Sequence, residues 1–313
     1  MPQRDSAPLF HLRPHARFDV VGFGFNTFDH VCVVPRPPRI DGKQRLRAYT
    51  EMPGGQVPTA LVALQRWQLR TAYVGPFGDD AGGRAQRDAL SAAGVDVSAC
   101  PTRAGVSSQT SVILVDEMSG ERSVLWTRPE PLGLRPEELD LTFLADGRAL
   151  LLDGAEIDSA LLAAECAREA GALVMLDVDE PGPRTDALLA LSDAVIVSEQ
   201  FPRQLTGAAD LRDALRQMAA RGPRLAAATL GVGGAVVCTD DRVWHVPSFR
   251  VAVVDSTSAG DLFHAGCLYG LLQDWPLDRA LRFASAAAAL ACQTLGGRAS
   301  IPDLDAVVAL AAS

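Results

Sequence analysis

Short apolar strands alternate with helices through the second half of this 313-residue chain, which is long enough to bury the core of one large α/β domain. The pattern predicts strands at 149–152, 173–176 and 194–197, with helices at 159–170 and 185–191. Strands joined through helices form parallel βαβ units, which bind ligands outside the carboxyl ends of their strands. We therefore expect Asp153, Asp177 and Ser198, which follow the three strands, to lie at one edge of a sheet.

The most informative turn precedes a helix predicted at 262–272. Residues 251–254 are predicted to end a buried strand, and only small residues follow at 258–260. The free N–H groups and the dipole at such a helix start attract an anion. The donors would be the backbone N–H groups of Ala259, Gly260 and Asp261.

Asp261 stands in the first turn of that helix and would point a carboxylate at the anion site. If the anion is a phosphoryl group in transfer, this carboxylate can take the proton of an attacking hydroxyl. The alternative is that Asp261 only caps the helix, which is a common role for aspartate. No G-x-x-x-x-G-K-[ST] loop occurs in the sequence, so a Walker-type phosphate site is excluded.

Residues 255–261, Asp-Ser-Thr-Ser-Ala-Gly-Asp, resemble the D-T-x-G-A-G-D signature of the PfkB family of ribokinase-like carbohydrate and nucleoside kinases. The similarity covers nearly the whole chain in the family's order. It implies one ribokinase-like domain over 18–313, an α/β three-layer αβα sandwich with a central, mostly parallel sheet and a small β-sheet lid. Residues 1–17 would form a flexible tail, and the lid strands would come from about 30–51 and 107–128.

The same resemblance implies ATP-dependent phosphorylation of a hydroxyl group on a sugar or sugar-like molecule. Asp261 would be the general base, and the turn that begins at Ser258 would be the anion hole. The family usually has glycine at the position of Ser258, so the turn must avoid a left-handed conformation there. Two alternatives stay open: an adenosine-type nucleoside kinase, and a sugar- or nucleotide-binding protein with little or no activity.

The first strand, predicted at 18–22, ends in a glycine pair, but the third glycine of a dinucleotide-binding fingerprint is absent. PfkB kinases carry a sugar-binding aspartate at this place. Asp29 matches it, with Asn26 beside it, and a carboxylate can accept hydrogen bonds from two hydroxyls. Gly54 and Gly55 precede the next predicted helix and permit close approach of a substrate.

Two further positions predict a sugar other than ribose. The resemblance implies that Gln56 and Thr59 face the substrate. Ribokinases have lysine at the position of Gln56, and the family often has asparagine at the position of Thr59. Because both side chains differ, we expect a different pattern of hydroxyl contacts.

Residues 107–116 and 121–127 alternate between apolar and polar side chains around the turn 118–120, which predicts a β-hairpin. The resemblance implies that this hairpin belongs to a lid over the sugar site. It also implies a homodimer through the lid, since exposed strands need covering. Trp126 and Arg128 either face the substrate or pack within the lid or against a partner.

Thr229, Gly231 and Gly234 match the family's T-L-G-x-x-G segment, which implies that they lie along the nucleotide phosphates. Asp255 and Thr257 match positions that surround a monovalent cation such as K⁺ in many relatives. The resemblance therefore predicts an ATP site that runs from this glycine segment to the turn before Asp261.

The family's N-x-x-E motif, which orders water around Mg²⁺, is altered in this chain. Ser198, a candidate nucleotide contact, replaces the asparagine, and Phe201 replaces the glutamate. Either Glu199 or Asp177 stands in for the missing carboxylate, or phosphates and water hold the ion alone. The altered motif favours the binding-protein alternative, whereas Asp261 favours an enzyme.

Composition excludes several other classes of protein. Acidic residues outnumber basic ones by 38 to 29, and the net charge of −9 argues against nucleic-acid binding. No apolar run approaches the roughly 20 residues of a membrane helix, and the first 17 residues lack the apolar core of a signal peptide. Six scattered cysteines favour buried thiols over disulfides or a metal site. We therefore expect a cytoplasmic enzyme with a small-molecule substrate.

Overall fold

The central strands are rich in valine, leucine, isoleucine and alanine, because helices cover both faces of the sheet that they form. The computed structural model describes residues 8–240 and 242–313. Its strands are β1 (Phe18–Phe23), β2 (Thr27–Val34), β3 (Ala48–Gly54), β4 (Thr71–Val74), β5 (Phe77–Gly78), β6 (Thr102–Arg103), β7 (Thr110–Asp116), β8 (Arg122–Thr127), β9 (Gly147–Leu152), β10 (Leu173–Asp177), β11 (Ala194–Ser198), β12 (Leu225–Thr229), β13 (Ala235–Thr239) and β14 (Arg242–Val246). Its α-helices are α1 (Gln56–Arg66), α2 (Ala81–Ala92), α3 (Leu141–Leu144), α4 (Ile157–Glu169), α5 (Thr185–Leu191), α6 (Gln200–Thr206), α7 (Leu211–Ala219), α8 (Ala259–Leu272), α9 (Leu277–Ala291) and α10 (Leu304–Ala312).

The central sheet has the order β14-β13-β12-β11-β10-β9-β1-β4. Its strands from β12 to β4 pair in parallel, whereas β13 and β14 pair antiparallel at one edge. Helices α1, α8 and α9 contribute to the core on one face, where Trp67 and Phe283 are buried. Helices α4 to α7 contribute to the core on the other face, where Phe201 is buried. The predicted three-layer α/β sandwich is confirmed.

A second sheet, the lid, has the order β3-β2-β7-β8. β7 and β8 form the predicted hairpin, with Ser111 opposite Trp126, and β2 lies beside β7 with Asp29 opposite Ser111. A small apolar cluster of Val31, Ile113 and Val115 packs beneath it. Because side chains alternate across a strand, Asp29 and Trp126 lie on the same face of the lid.

The structure modifies the predicted flexible tail. Residues 1–7 lie outside the described residues, and residues 8–17 have no helix or strand. Phe10 is nevertheless buried in the core, and Arg13 donates hydrogen bonds to the backbone oxygens of Gly147 (2.9 Å) and Ala170 (3.0 Å). This described part of the tail therefore packs on the domain, because its aromatic and guanidinium groups find partners there.

The prediction of a buried strand at 251–254 is wrong. The segment forms no strand, and Val253 and Val254 are 39% and 48% exposed. The backbone N–H groups of Val254 and Ser256 instead donate to Cys292 O (2.8 Å) and Gly120 O (3.2 Å). The segment is a loop between β14 and α8, and its hydrogen bonds join it to the end of α9 and to the tip of the lid hairpin. A short apolar run does not distinguish such a loop from a strand.

Four of the six cysteines, Cys32, Cys100, Cys238 and Cys267, are buried. None of the helices in the described part of the chain has the length and apolarity needed to cross a bilayer.

Candidate active site

Parallel strands deliver the predicted polar residues to one edge of the central sheet. Asp153 follows β9, and Asp177 and Ser198 end β10 and β11. Asp153 accepts hydrogen bonds from the backbone N–H groups of Phe25 (2.8 Å) and Ala155 (2.9 Å), so it clamps the connection after β1. The predicted alignment of strand ends is confirmed, and Asp153 has a structural partner on each carboxyl oxygen.

The N-terminus of α8 is the centre of this edge. Ser258 is the N-cap, with φ −99° and ψ 7°, so the residue that replaces the family glycine avoids the left-handed region as expected. Its hydroxyl lies 2.6 Å from that of Ser300, which fixes the turn to the loop after α9. A Cβ atom added at Gly260 would have no neighbouring atom within 4 Å, so the first turn of α8, which begins at Ala259, faces open space. The geometry suits an anion at the helix start.

Asp261 lies in the first turn of α8 and is partly exposed. The N-cap position is taken by Ser258, and among the described residues no side-chain hydrogen bond caps the helix. This argues against the alternative that Asp261 only caps it. Burial raises the pKa of the Asp261 carboxyl well above its ordinary value, and the nearby carboxylate of Asp177 adds to the effect. Arg122, from the lid strand β8, opposes it. Burial and Asp177 make Asp261 a stronger base than an exposed aspartate, and its role as the general base stays a prediction.

Asp29 lies buried on the lid face that turns toward α8. Within the described part of the chain, one of its carboxyl oxygens, Oδ1, has no hydrogen-bond partner. Burial raises its pKa to about 7, although hydrogen bonding to Thr27, the charge of Arg298 and hydrogen bonding to Ser111 each lower it. A Cβ at Gly54 would lie 1.9 Å from Asp29 Oδ2, so only glycine fits there. An unpartnered buried oxygen of this kind is suited to accept a hydrogen bond from a hydroxyl group.

The remaining predicted sugar-side residues are mainly held by the protein itself. Gly55 has φ 101°, a backbone conformation that favours glycine, and its carbonyl accepts from Thr59 N (3.0 Å). Thr59 is buried in the first turn of α1. Asn26 Nδ2 donates to Tyr73 Oη (2.9 Å) and Pro76 O (2.8 Å). Asn26 therefore positions the chain before β2, and its contact with substrate stays a prediction.

The predicted nucleotide residues lie together beside β12. Thr229 and Ser198 are paired across β12 and β11, and Thr229 Oγ1 donates to Val197 O (3.3 Å). Gly231, with φ 55°, faces open space, since a Cβ there would have nothing within 4 Å. A Cβ at Gly234 would lie 2.1 Å from Val246 O. Gly234 is therefore required by the hairpin turn itself, whereas Gly231 is free to approach a ligand.

The predicted metal ligands are less well placed. Glu199 is 42% exposed at its side chain and accepts from Arg203 Nη2 (3.1 Å), while Phe201 is buried in the core. Asp255 accepts from the backbone N–H groups of Thr257 (2.9 Å) and Gly296 (2.8 Å), so it clamps two loops. Among the described residues no group of three His, Cys, Asp or Glu could hold a metal. The magnesium and monovalent-cation sites stay predictions.

The structure adds residues to the site that sequence reasoning missed. Gln56 donates to Asp179 Oδ1 (3.0 Å), which brings a second acidic residue beside Asp177. His264 is buried with Nδ1 2.9 Å from Gly260 O and Nε2 2.9 Å from Ile196 O, so it ties the start of α8 to β11. Its position one helical turn after Asp261 could have signalled this role, because residues at i and i+3 share a helix face. The full set missed is Arg122, Asp179, His264 and Arg298.

Comparisons with known proteins match nearly the whole chain. The family model described as "pfkB family carbohydrate kinase" matches residues 19–304. An ATP-dependent ribose-1-phosphate kinase of Halopiger xanaduensis is 32% identical over 298 residues, which cover 93% of this chain and 97% of that protein. A ribokinase of Haemophilus influenzae is 28% identical over 88% of this chain and 92% of its own length.

Solved structures show the same fold. A crystal structure of a fructokinase from Xylella fastidiosa with bound ATP superposes with a TM-score of 0.78 at 26% identity. The superposition covers 93% of this chain and 98% of the fructokinase. With the αβα sandwich, the lid and the D-S-T-S-A-G-D turn in the family's order, this chain belongs to the pfkB family of carbohydrate kinases.

Proposed function

We propose that this kinase transfers the γ-phosphoryl group of ATP to a hydroxyl group of a sugar or sugar-like molecule, with Asp261 as the general base. The observation that carries the proposal is the N-terminus of α8. There the carboxylate of Asp261, which does not cap the helix, stands next to the open space at Gly260. A protein that only bound nucleotide would have no use for an additional negative charge beside the phosphates.

The substrates approach this turn from opposite sides. The acceptor sugar binds to Asp29 and the Gly54-Gly55 turn beneath the lid, while the nucleotide phosphates extend from Gly231 toward Ser258. Asp261 takes the proton of the acceptor hydroxyl as its oxygen attacks phosphorus. The backbone N–H groups at the start of α8 then stabilise the charge on the transferred group without having to reorganise.

The electrostatic environment supports a base at Asp261. A general base works best when its pKa lies near the operating pH. Burial and the carboxylates of Asp177, Asp179 and Asp29 all raise the pKa of Asp261. The base is therefore stronger than an exposed aspartate.

Magnesium accompanies ATP in this proposal, held mainly by phosphates and water. Asp177 or Glu199 would add a carboxylate ligand, and Mg²⁺ commonly keeps several water ligands. Its charge would screen the phosphates during transfer. A monovalent cation near Asp255 and Thr257 is proposed on the family's pattern alone, and the two carboxyl oxygens of Asp255 already accept backbone N–H groups.

A homodimer through the lid is part of the proposal. All residues of β8 are exposed, and the large side chains of Val124 and Trp126 are 49% and 67% exposed. Both lie on the Asp29 face of the lid, at the free edge of the sheet. A second lid packed across this face would cover the edge strand and close the sugar site.

The direct test is magnesium-dependent ATP consumption with a panel of sugars, sugar phosphates, sugar acids and nucleosides. We expect one sugar-like member to stimulate turnover strongly. Stimulation only by a nucleoside would replace the proposal by a nucleoside kinase. Tight binding of a sugar without turnover would replace it by a binding protein.

A further inference from the structure

Arg298 is a buried arginine whose donors are mostly unused. It begins the short 3₁₀ turn Arg298–Ser300 after α9, and only 8% of the residue is exposed. Nη2 donates to Gly54 O (2.8 Å). Within the described part of the chain, Nε and Nη1 have neither solvent nor a hydrogen-bond partner.

This side chain keeps its positive charge. Burial lowers the pKa of the Arg298 guanidinium to about 10, and the carboxylate of Asp29 counteracts the shift. The group is therefore protonated at neutral pH. Charged side chains are seldom buried unless they are paired, because an unpaired buried charge is strongly unfavourable. The unused donors indicate a partner that the protein itself does not supply.

The loop that carries Arg298 is fixed at the junction of the site. Gly296 N donates to Asp255 Oδ2 (2.8 Å), and Ser300 Oγ lies 2.6 Å from Ser258 Oγ. These contacts join the loop to the turn before Asp261. The bond from Arg298 to Gly54 O joins it to the sugar side. The guanidinium is thus held in place before any substrate binds.

A purely structural role does not account for this arrangement. One N–H is enough to hold the carbonyl of Gly54, and a neutral glutamine could provide it. Among the charges, Asp29 has the largest effect on the pKa of Arg298, yet within the described structure no hydrogen bond joins the two groups and Asp29 Oδ1 is itself unpartnered. The cluster therefore presents an acceptor and a cation separately, as a substrate with both hydroxyls and an anion requires.

We infer that Arg298 binds an oxyanion group carried by the acceptor, so that the substrate is a sugar phosphate or a sugar acid rather than a neutral sugar. The inference rests on the proposed function for the identity of the site as the acceptor site. Asp29 accepts the hydroxyls, Arg298 donates to the oxyanion, and Asp261 faces the hydroxyl that receives the phosphoryl group.

Calorimetric titration without ATP tests this separately from catalysis. The probes are ribose 1-phosphate, ribose 5-phosphate and gluconate, compared with ribose and fructose. We expect at least one anionic sugar to bind about tenfold or more tightly than either neutral sugar, with an affinity that falls as salt is added. The phosphate and carboxylate probes distinguish the two sources of the anion.

Arg298→Gln should weaken the binding of that anionic sugar by about 10- to 100-fold and leave neutral sugars nearly unaffected. Arg66→Gln is the matched control, because Arg66 is an exposed arginine that donates to Ile301 O in the same loop. Arg298→Lys keeps the charge and should retain part of the affinity. It also provides the comparison if the glutamine variant does not fold, with melting temperature as the check.

The inference is overturned if neutral sugars bind as tightly as every anionic probe, if no anionic probe binds at millimolar concentration, or if the folded Arg298→Gln protein keeps wild-type affinity. An additional outcome separates the two proposals. An anionic sugar that binds through Arg298 without stimulating ATP consumption upholds the inference and overturns the kinase proposal. Turnover of neutral sugars alone does the reverse.

Discussion

The two sides of the site are built differently. On the sugar side, Asp29 and Arg298 are 6% and 8% exposed and carry polar atoms without partners. On the proposed nucleotide side, Gly231 and Gly260 face open space, and Val232, which follows Gly231, is 89% exposed. A buried cluster with unused donors and acceptors discriminates strongly between ligands, because a wrong ligand leaves charges unpaired. An open glycine surface binds any ligand with the right phosphates. The difference places substrate choice on the sugar side, and Asp261 stands where the two sides meet.

The largest expected effect comes from removing the group at the junction. Asp261→Asn should lower kcat by about 10²- to 10⁴-fold while leaving nucleotide and sugar binding largely intact, because only the proton acceptor is lost. Steady-state kinetics and calorimetry measure both. Asp278→Asn is the matched control, since Asp278 is an exposed aspartate in the first turn of α9. Normal turnover in the Asp261 variant would remove it as the base.

Two glycine substitutions separate the sides. Gly54→Ala should weaken sugar binding about 100-fold or more, because its Cβ would lie 1.9 Å from Asp29 Oδ2 and displace that carboxylate. Gly260→Ala has nothing within 4 Å of its Cβ and should leave sugar binding and melting temperature nearly unchanged. Calorimetric titrations of both variants test the contrast. Equal effects on sugar affinity would mean that the two sides do not differ as described.

Activity should depend on pH through the sugar side. Asp29 must be ionised to accept hydroxyls, and its pKa is raised to about 7. Asp261 must also be ionised, and its pKa is raised as well. We therefore expect kcat/KM for the sugar to fall at least about tenfold per pH unit below about pH 7, because protonation of either carboxyl group blocks the site. A profile that stays flat down to pH 5 would contradict these shifts.

Strand β8 is exposed at the free edge of the lid, so the proposed dimer contact can be perturbed selectively. Trp126→Lys should raise the dissociation constant of the dimer at least about tenfold, since exposed tryptophans often dominate such interfaces. Analytical ultracentrifugation measures the effect, with Val308→Lys on α10 as the control, because Val308 is also exposed at 46%. A wild-type protein that is monomeric at micromolar concentration would refute the lid dimer.

The smallest effect is on stability. The pKa of Asp29 is raised to about 7 in the folded state from an ordinary value of 3.8, so folding favours the protonated carboxyl. Its contribution is complete below that ordinary value and is lost as pH rises through about 7. The melting temperature of the wild type should therefore fall more between pH 5 and pH 8 than that of Asp29→Asn. Parallel pH profiles for the two proteins would show that Asp29 ionises normally.

Local sequence patterns predicted several parts of this molecule. The βαβ alternation predicted parallel pairing of β9, β10 and β11, and the small-residue turn before Asp261 predicted the start of a helix. The family's motifs supplied Asp29 and Gly54. In each case a few adjacent residues determine the backbone, so the sequence alone was sufficient.

Other features depend on contacts between distant parts of the chain. The apolar run 251–254 looks like a strand, but the sheet already ends at β14, and the run packs against the lid instead. The burial of Arg298 could not be predicted from the glycine pair before it, because its contact with Gly54 joins residues far apart in sequence.

The most direct measurement is a crystal structure with the acceptor sugar and a non-hydrolysable ATP analogue bound together. We expect the acceptor hydroxyl to lie within about 3 Å of the Asp261 carboxylate, and the terminal phosphoryl group to lie at the backbone N–H groups that begin α8. A complex in which the Asp261 side chain contacts neither the hydroxyl nor the phosphoryl group would contradict it.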